Sequence, residues 1–153
     1  MAFDRKQFHD LTRTVLMDAG LFSIDGLDQT LGTIAKESHF GTYLRQVGGG
    51  PALGVGQMEP ATFEWLQGKY RTRFPQLRLR TAGELVWDLR LAILMTRLRY
   101  YAVPEPIPSD LEGQARYWKK WYNTEKGAGT VAQYIECYDR YVRKIVRADR
   151  TIT

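Results

Sequence analysis

The sequence predicts an all-α fold in a single domain. The chain has 153 residues, the length of one domain, and 44% of them are hydrophobic, which is enough to form a core. Apolar residues recur at spacings of three and four, which is typical of the buried face of a helix. No stretch alternates apolar and polar residues as a half-buried strand does, and no internal repeat is present. We therefore expect one helical domain over residues 1–153.

Each predicted helix has its own start or stop signal. Thr81 with Glu84, Ser109 with Glu112 and Thr130 with Gln133 have the spacing of a capping box, and Gly20 and the proline-rich connector 104–108 are stop signals. Pro60 suits a first helical position. The predicted helices cover 4–19, about 27–38, 60 to about 67, a segment from 81 that ends before 104, a segment from 109, and about 131–146. Between the second and third lies the loop 41–56, with six glycines and Pro51.

Charge and composition exclude several classes of protein. The net charge is +5, from 22 Lys and Arg against 17 Asp and Glu, which suits either an anionic partner or a basic surface with no particular partner. The single Cys137 cannot form an intrachain disulfide. With only His9 and His39 besides, we expect no metal site and no other cofactor. The apolar run 89–95 is too short to span a bilayer, and the charged start MAFDRKQFHD predicts no export signal.

The segment 71–80, RTRFPQLRLR, is the most basic part of the chain. It suits either a phosphate or glycan contact or a solvated connector between helices. We do not expect nucleic acid to be the partner.

Glu37 is the candidate catalytic residue. Apolar residues precede it near the end of the predicted helix 27–38, and the glycine-rich loop follows it. An apolar wall disfavours the ionised carboxylate, so the pKa rises and the group can hold a proton near neutral pH. Such an acid can protonate the leaving oxygen in glycosidic cleavage. The alternative is a solvated charge at a helix end.

Four short elements occur in one order across residues 27–146. They are Glu37-Ser38; Gly54, Gln57, Pro60 and Thr62 in the spacing Gly-x-x-Gln-x-x-Pro-x-Thr; Tyr122-Asn123; and Tyr141-Val142 followed by Arg143 and Lys144. This ordered set resembles the motifs of lytic transglycosylases of the soluble (SLT) type. The resemblance implies a single lysozyme-like helical domain that cleaves peptidoglycan.

The resemblance also implies a role for each site residue. Glu37 would be the general acid toward the glycosidic oxygen between N-acetylmuramic acid and N-acetylglucosamine. Gln57 would hydrogen-bond a sugar amide or the backbone near the cleft, and Asn123 would hold its loop. Tyr122 would direct its hydroxyl toward Glu37 or the substrate, or anchor the helical core instead. Ser38 would orient the glutamate or cap the helix end.

The chain departs from the transglycosylase pattern at two places. Tyr122-Asn123 is followed by Thr124-Glu125 rather than Ala-Gly, and glycines come later, at 127 and 129. Glu59 stands two residues after the motif glutamine, where transglycosylases usually have methionine and goose-type lysozymes have aspartate. A carboxylate there can orient a water for hydrolysis, whereas without it the sugar's own 6-hydroxyl forms the anhydro product. Alternatively, Glu59 is a favourable charge at a helix start.

The segment 115–124, followed by Gly127-Ala128-Gly129, resembles a form that recurs in tailed-phage virion proteins. Delivery by a virion would explain a wall-cleaving enzyme without an export signal, located in the particle or in the host cytoplasm before release. Its partners would be peptidoglycan glycan strands and other virion proteins. The alternative function is a structural tail or internal virion protein that keeps the lysozyme-like fold with little or no activity.

Overall fold

The computed structural model describes residues 2–124 and 126–145, and within these ranges the fold is all-α, as predicted. Helices account for 62% of the structure, and no described residue belongs to a strand. The α-helices are α1 (Arg5–Asp18), α2 (Ile24–Ser38), α3 (Pro60–Tyr70), α4 (Leu89–Tyr101), α5 (Leu111–Trp118) and α6 (Val131–Tyr141). Two 3₁₀ turns (Pro75–Leu77 and Ala82–Val86) lie between α3 and α4, and a π-helical turn (Lys119–Asn123) continues α5.

Two predicted helix starts are wrong in detail. The capping box of Thr81 and Glu84 is present, but it begins the 3₁₀ turn Ala82–Val86. A new helix, α4, begins only after Asp88, whose carboxylate accepts from the Leu91 amide at 3.0 Å. These are therefore two elements rather than one helix, because Asp88 provides a second strong N-cap seven residues after Thr81.

The helix predicted from Ser109 begins one residue later. Asp110 is the N-cap of α5, and its carboxylate accepts from the Gly113 amide at 2.9 Å. The Ser109 hydroxyl donates instead to Asp25 at 2.9 Å. Ser and Asp cap helices about equally well, so the sequence alone does not distinguish them. In the structure Asp110 is the cap, and the Ser109 hydroxyl is used in the bond to Asp25.

The other boundaries agree more closely with the sequence. The Thr130–Gln133 capping box is present at the start of α6. Helix α2 begins three residues early, capped by Ser23, and α3 extends to Tyr70. Helix α6 ends at Tyr141, and the predicted end at 146 lies outside the described residues.

Helix α2 is the central element of the fold. It contacts α1, α4, α5 and α6, and its buried face continues almost all round its circumference. From α6, the Tyr138 hydroxyl donates to Asp28 at 2.6 Å, and the Tyr134 hydroxyl lies against Gly32. Because its flanks are packed in this way, α2 holds its C-terminal end, and therefore Glu37, in a fixed position.

Two helical glycines predict opposite effects of the same substitution. A Cβ at Gly32 would overlap the Tyr134 hydroxyl, whereas a Cβ at the exposed Gly68 meets nothing within 4 Å. We expect Gly32→Ala to lower the free energy of unfolding by about 1–3 kcal/mol through overpacking. Gly68→Ala should raise it by about 0.5–1 kcal/mol, since alanine loses less backbone entropy in a helix. Urea titration measures both values, and a destabilising effect of equal size at the two sites would contradict this account of the α2–α6 contact.

None of the described helices is long and apolar enough to cross a membrane.

Candidate active site

A cavity of about 580 Å³ opens at the C-terminal end of α2. Five of the six sequence-predicted site residues line it: Glu37, Gln57, Glu59, Tyr122 and Asn123. They come from the end of α2, the loop before α3, the start of α3 and the π-helical turn after α5. Segments separated by more than eighty positions in the sequence therefore meet around one space.

Glu37 is partly buried in this cavity and has a raised pKa. Burial is the dominant cause of the raised pKa, because it disfavours the ionised carboxylate. The charge of Lys36 and a hydrogen bond from Trp118 act in the opposite direction with smaller effect. The Trp118 indole N–H donates to Glu37 Oε2 at 3.1 Å, and Lys36 Nζ lies 5.4 Å from the centroid of the Trp118 ring. The net effect favours the protonated form of Glu37 more than in a carboxyl group in water. Trp118 provides one oriented hydrogen-bond donor to the carboxyl group.

Ser38, the sixth of these residues, does not line the cavity. It is fully buried, its hydroxyl donates to the Ile34 carbonyl at 3.1 Å, and it accepts from the Gly41 amide at 3.0 Å. His39 and Phe40 follow with φ of 49° and 53°, in the left-handed region. Ser38 therefore stabilises the end of α2 and the reversal of the chain directly after Glu37, the second of its two expected roles.

Gln57 lies in a tight loop that is closed by backbone hydrogen bonds. Leu53 and Met58 exchange two such bonds, each of 3.0 Å. Gln57 has a φ of 47°, and its side-chain Nε2 donates to the Gly54 carbonyl at 2.9 Å. The amide nitrogen thus supports the loop backbone while the side chain lines the cavity, so of the two contacts expected for Gln57 the backbone one is present.

Tyr122 joins two of the sequence elements directly. Its hydroxyl donates to the Gly56 carbonyl at 2.5 Å, and its ring stacks on Tyr100 at 5.4 Å between centroids. The hydroxyl is therefore directed at the glutamine loop rather than at Glu37. Both Tyr122 and Glu37 line the cavity, and burial raises the pKa of Tyr122, with the charge of Glu37 raising it further. A Cβ at Gly56 would overlap Thr96, so only glycine allows this close approach.

Asn123 is held by a lysine that bridges it to the following glycines. Lys119 Nζ donates to Asn123 Oδ1 at 2.7 Å and to the Gly127 carbonyl at 2.9 Å. Thr124 turns the chain with a φ of 70°, although it is not a glycine. Gly129 packs against Trp118 with no room for a side chain. Gly127 and Gly129 are therefore tied to Asn123 and Trp118 by these contacts, and Glu125 lies outside the described residues.

Glu59 lies both at the start of α3 and in the lining of the cavity, the two positions that the sequence suggested for it. It is the N-cap residue of α3, yet its side chain makes no capping hydrogen bond. It is exposed and lines the cavity together with Thr62 of the same motif. The carboxylate is therefore available to the cavity rather than occupied at the helix start.

The fourth sequence element also reaches this end of α2. The Tyr141 ring stacks on Phe40 at 5.5 Å and on His39 at 6.1 Å, directly after the turn that follows Glu37. The chain thus brings all four elements together around one helix terminus.

Sequence reasoning missed Trp118, Lys36 and Arg99, all of which surround the site. Trp118 lies four residues before Tyr122, so helical spacing was the signal that places both on one side of α5 and its π-helical extension.

Sequence reasoning also missed a concentration of strained backbone around the cavity. Of the five non-glycine residues with positive φ in the described ranges, three line the cavity: His39, Gln57 and Thr124. Such strain concentrates at functional sites, where the surrounding structure enforces it.

No protein-family model, curated protein or solved structure matches this chain. Within residues 2–124 and 126–145, no group of three or more His, Cys, Asp or Glu side chains has the arrangement of a metal site. The arrangement of Glu37 and the residues around it is therefore the basis for assigning a function.

Proposed function

We propose that this protein is a peptidoglycan-cleaving glycosidase of the lysozyme or lytic transglycosylase type, with Glu37 as its general acid. One observation supports this above all others. A partly buried glutamate with a raised pKa shares a cavity with Gln57, Glu59, Tyr122 and Asn123, the residues that the motif resemblance also selects. The resemblance to SLT-type domains and the cavity geometry point to the same residues by different routes.

Glu37 would act by transferring its proton to the oxygen that links N-acetylmuramic acid to N-acetylglucosamine. The bond from the muramic anomeric carbon to that oxygen breaks, and the electron pair leaves with the protonated oxygen. The carboxylate that remains accepts the Trp118 N–H hydrogen bond, which favours the ionised form. The cationic sugar is then captured by water, which gives a proton to the Glu59 carboxylate, or by its own 6-hydroxyl, which gives its proton to the Glu37 carboxylate.

Wall digestion tests the proposal directly. Purified peptidoglycan sacculi are incubated with the protein, and the soluble fragments are separated and weighed by mass spectrometry. We expect disaccharide-peptide fragments cut on the muramic side, with heat-denatured protein as the control. Sacculi that release no glycan fragments at any pH from mildly acidic to mildly alkaline would overturn it.

Delivery by a tailed-phage virion is part of the same proposal and rests on the segment 115–124. This segment forms the second half of α5 and the π-helical turn, and it supplies Trp118, Tyr122 and Asn123 to the site. We expect the protein to be found at fixed stoichiometry in purified particles that carry it.

The charge of Lys36 predicts the pH dependence of activity. Glu37 must be protonated to act, so activity should fall as pH rises through its raised pKa. Lys36 stabilises the ionised form, and Lys36→Gln should therefore raise the pKa of Glu37 and move the alkaline limb of the kcat/KM profile to higher pH. Lys6→Gln, the same change at an exposed site on α1, is the control. An unchanged limb, or one that moves to lower pH, would contradict Glu37 as the acid.

A further inference from the structure

One face of α3 continues outward from the cavity. Glu59 and Thr62 line the cavity, and Trp65 follows Thr62 by three residues, so the Thr62 and Trp65 side chains are neighbours on the surface of α3. Trp65 is 51% exposed. At the rise of an α-helix it lies about 4.5 Å along the axis from Thr62, so a half-exposed indole stands within one turn of a residue that lines the cavity.

Two cations flank this indole, and one of them also belongs to the cavity. The Arg99 guanidinium of α4 lines the cavity and lies 5.8 Å from the centroid of the Trp65 ring. Lys69 Nζ, one turn further along α3, lies 5.6 Å from the same centroid. Neither cation takes part in an ion pair among the described residues. An exposed aromatic ring with two cations that lack acidic partners is therefore continuous with the proposed cleavage site.

We propose that Trp65, Arg99 and Lys69 form a distal subsite that binds the peptidoglycan strand beyond the bond to be cleaved. The C–H face of a sugar ring packs against the indole, which offers a large rigid surface at low entropic cost. Arg99 and Lys69 meet carboxylates on the peptide substituents of the strand, which suits a wall polymer that carries such groups. This inference rests on the proposed function, because it takes the occupant of the cavity to be a glycan strand.

Continuity with the cavity separates Trp65 from the other exposed tryptophan. Single exposed apolar side chains are ordinary, and neither Trp65 nor Trp87, which is 69% exposed, is itself a lining residue of the cavity. Trp65 differs because Arg99 contacts its ring and also lines the cavity. Trp87→Ala is therefore the matched control for Trp65→Ala.

Chain-length dependence tests the subsite. For Trp65→Ala we expect kcat/KM on long peptide-bearing strands to fall by about 10-fold, the size of effect seen when an aromatic anchor is truncated. The shortest oligosaccharide that is cleaved should be affected little, because it does not reach Trp65. Trp87→Ala should behave as wild type at every length, and thermal unfolding should show both variants folded.

Binding without cleavage separates this inference from the proposed function. Intact strands are titrated calorimetrically into two proteins, the Glu37→Gln variant and the Glu37→Gln variant that also carries Trp65→Ala. The double variant should bind the strands more weakly than the single variant. If the wild type cleaves but the two tryptophan variants match in rate and binding, the subsite is overturned and the function stands. If strands bind through Trp65 but are never cleaved, the reaction is overturned and the subsite stands. Protein that neither binds nor cleaves strands overturns both.

Discussion

Replacement of Glu37 by glutamine is expected to lower wall cleavage by about 100- to 10,000-fold, the range that general-acid assistance contributes. Glutamine has almost the same shape, and its carbonyl oxygen can still accept the Trp118 hydrogen bond, but it has no proton to give. Release of muropeptides from sacculi measures the loss. Glu64→Gln, at an exposed glutamate on α3, is the matched control and should retain full activity. Residual activity within about threefold of wild type would rule out the role.

Stability shows whether the loss in Glu37→Gln comes from chemistry or from misfolding. Because burial raises the pKa of Glu37 above its ordinary value of 4.5, the native state binds more protons than the unfolded state between the two pKa values. The stability of the wild type should therefore fall as pH rises through that window, and glutamine removes this loss. We expect Glu37→Gln to unfold at a higher temperature than wild type at about pH 7.5 and at nearly the same temperature at about pH 4. A destabilised variant at neutral pH would contradict the burial of an unfavourable charge.

The position of Glu37 was predictable because local signals define it. The apolar spacing of residues 27–38 predicts a buried helix, and the glycine-rich stretch predicts that it stops there. What the sequence does not contain is the partner of its carboxyl group. Trp118 is 81 positions away, and only the packing of α5 against α2 brings its indole to Glu37.

The predicted helix starts were wrong where a second capping residue lies nearby in the sequence. Thr81 and Asp88 each cap an element, so one predicted helix became a 3₁₀ turn and α4. Local spacing does not rank such capping residues, because Ser and Asp cap helices about equally well; Asp110 caps α5 while the Ser109 hydroxyl donates to Asp25.

We expect Glu59 to determine which product the proposed enzyme forms, because it is the second carboxylate that lines the cavity. Its side chain makes no helix-capping hydrogen bond and lines the same space as Glu37. Inverting glycosidases place two carboxyl groups roughly 6.5–9.5 Å apart, which leaves room for the attacking water. A water held by Glu59 would compete with the sugar's own 6-hydroxyl for the anomeric carbon.

Wild-type protein is therefore expected to release mainly reducing muramic ends, and Glu59→Met should change the product. Methionine cannot accept a proton from water, so hydrolytic turnover should fall by about 100-fold or more, the lower range of general-base assistance. The remaining product should shift toward the anhydro sugar, which mass spectrometry recognises because it is lighter by one water. Glu64→Met, on the same helix but outside the cavity lining, should leave the product ratio unchanged. Exclusively anhydro product from the wild type would instead place the reaction among the transglycosylases. Water would then not compete with the 6-hydroxyl, and Glu59 would be only a charge at the start of α3.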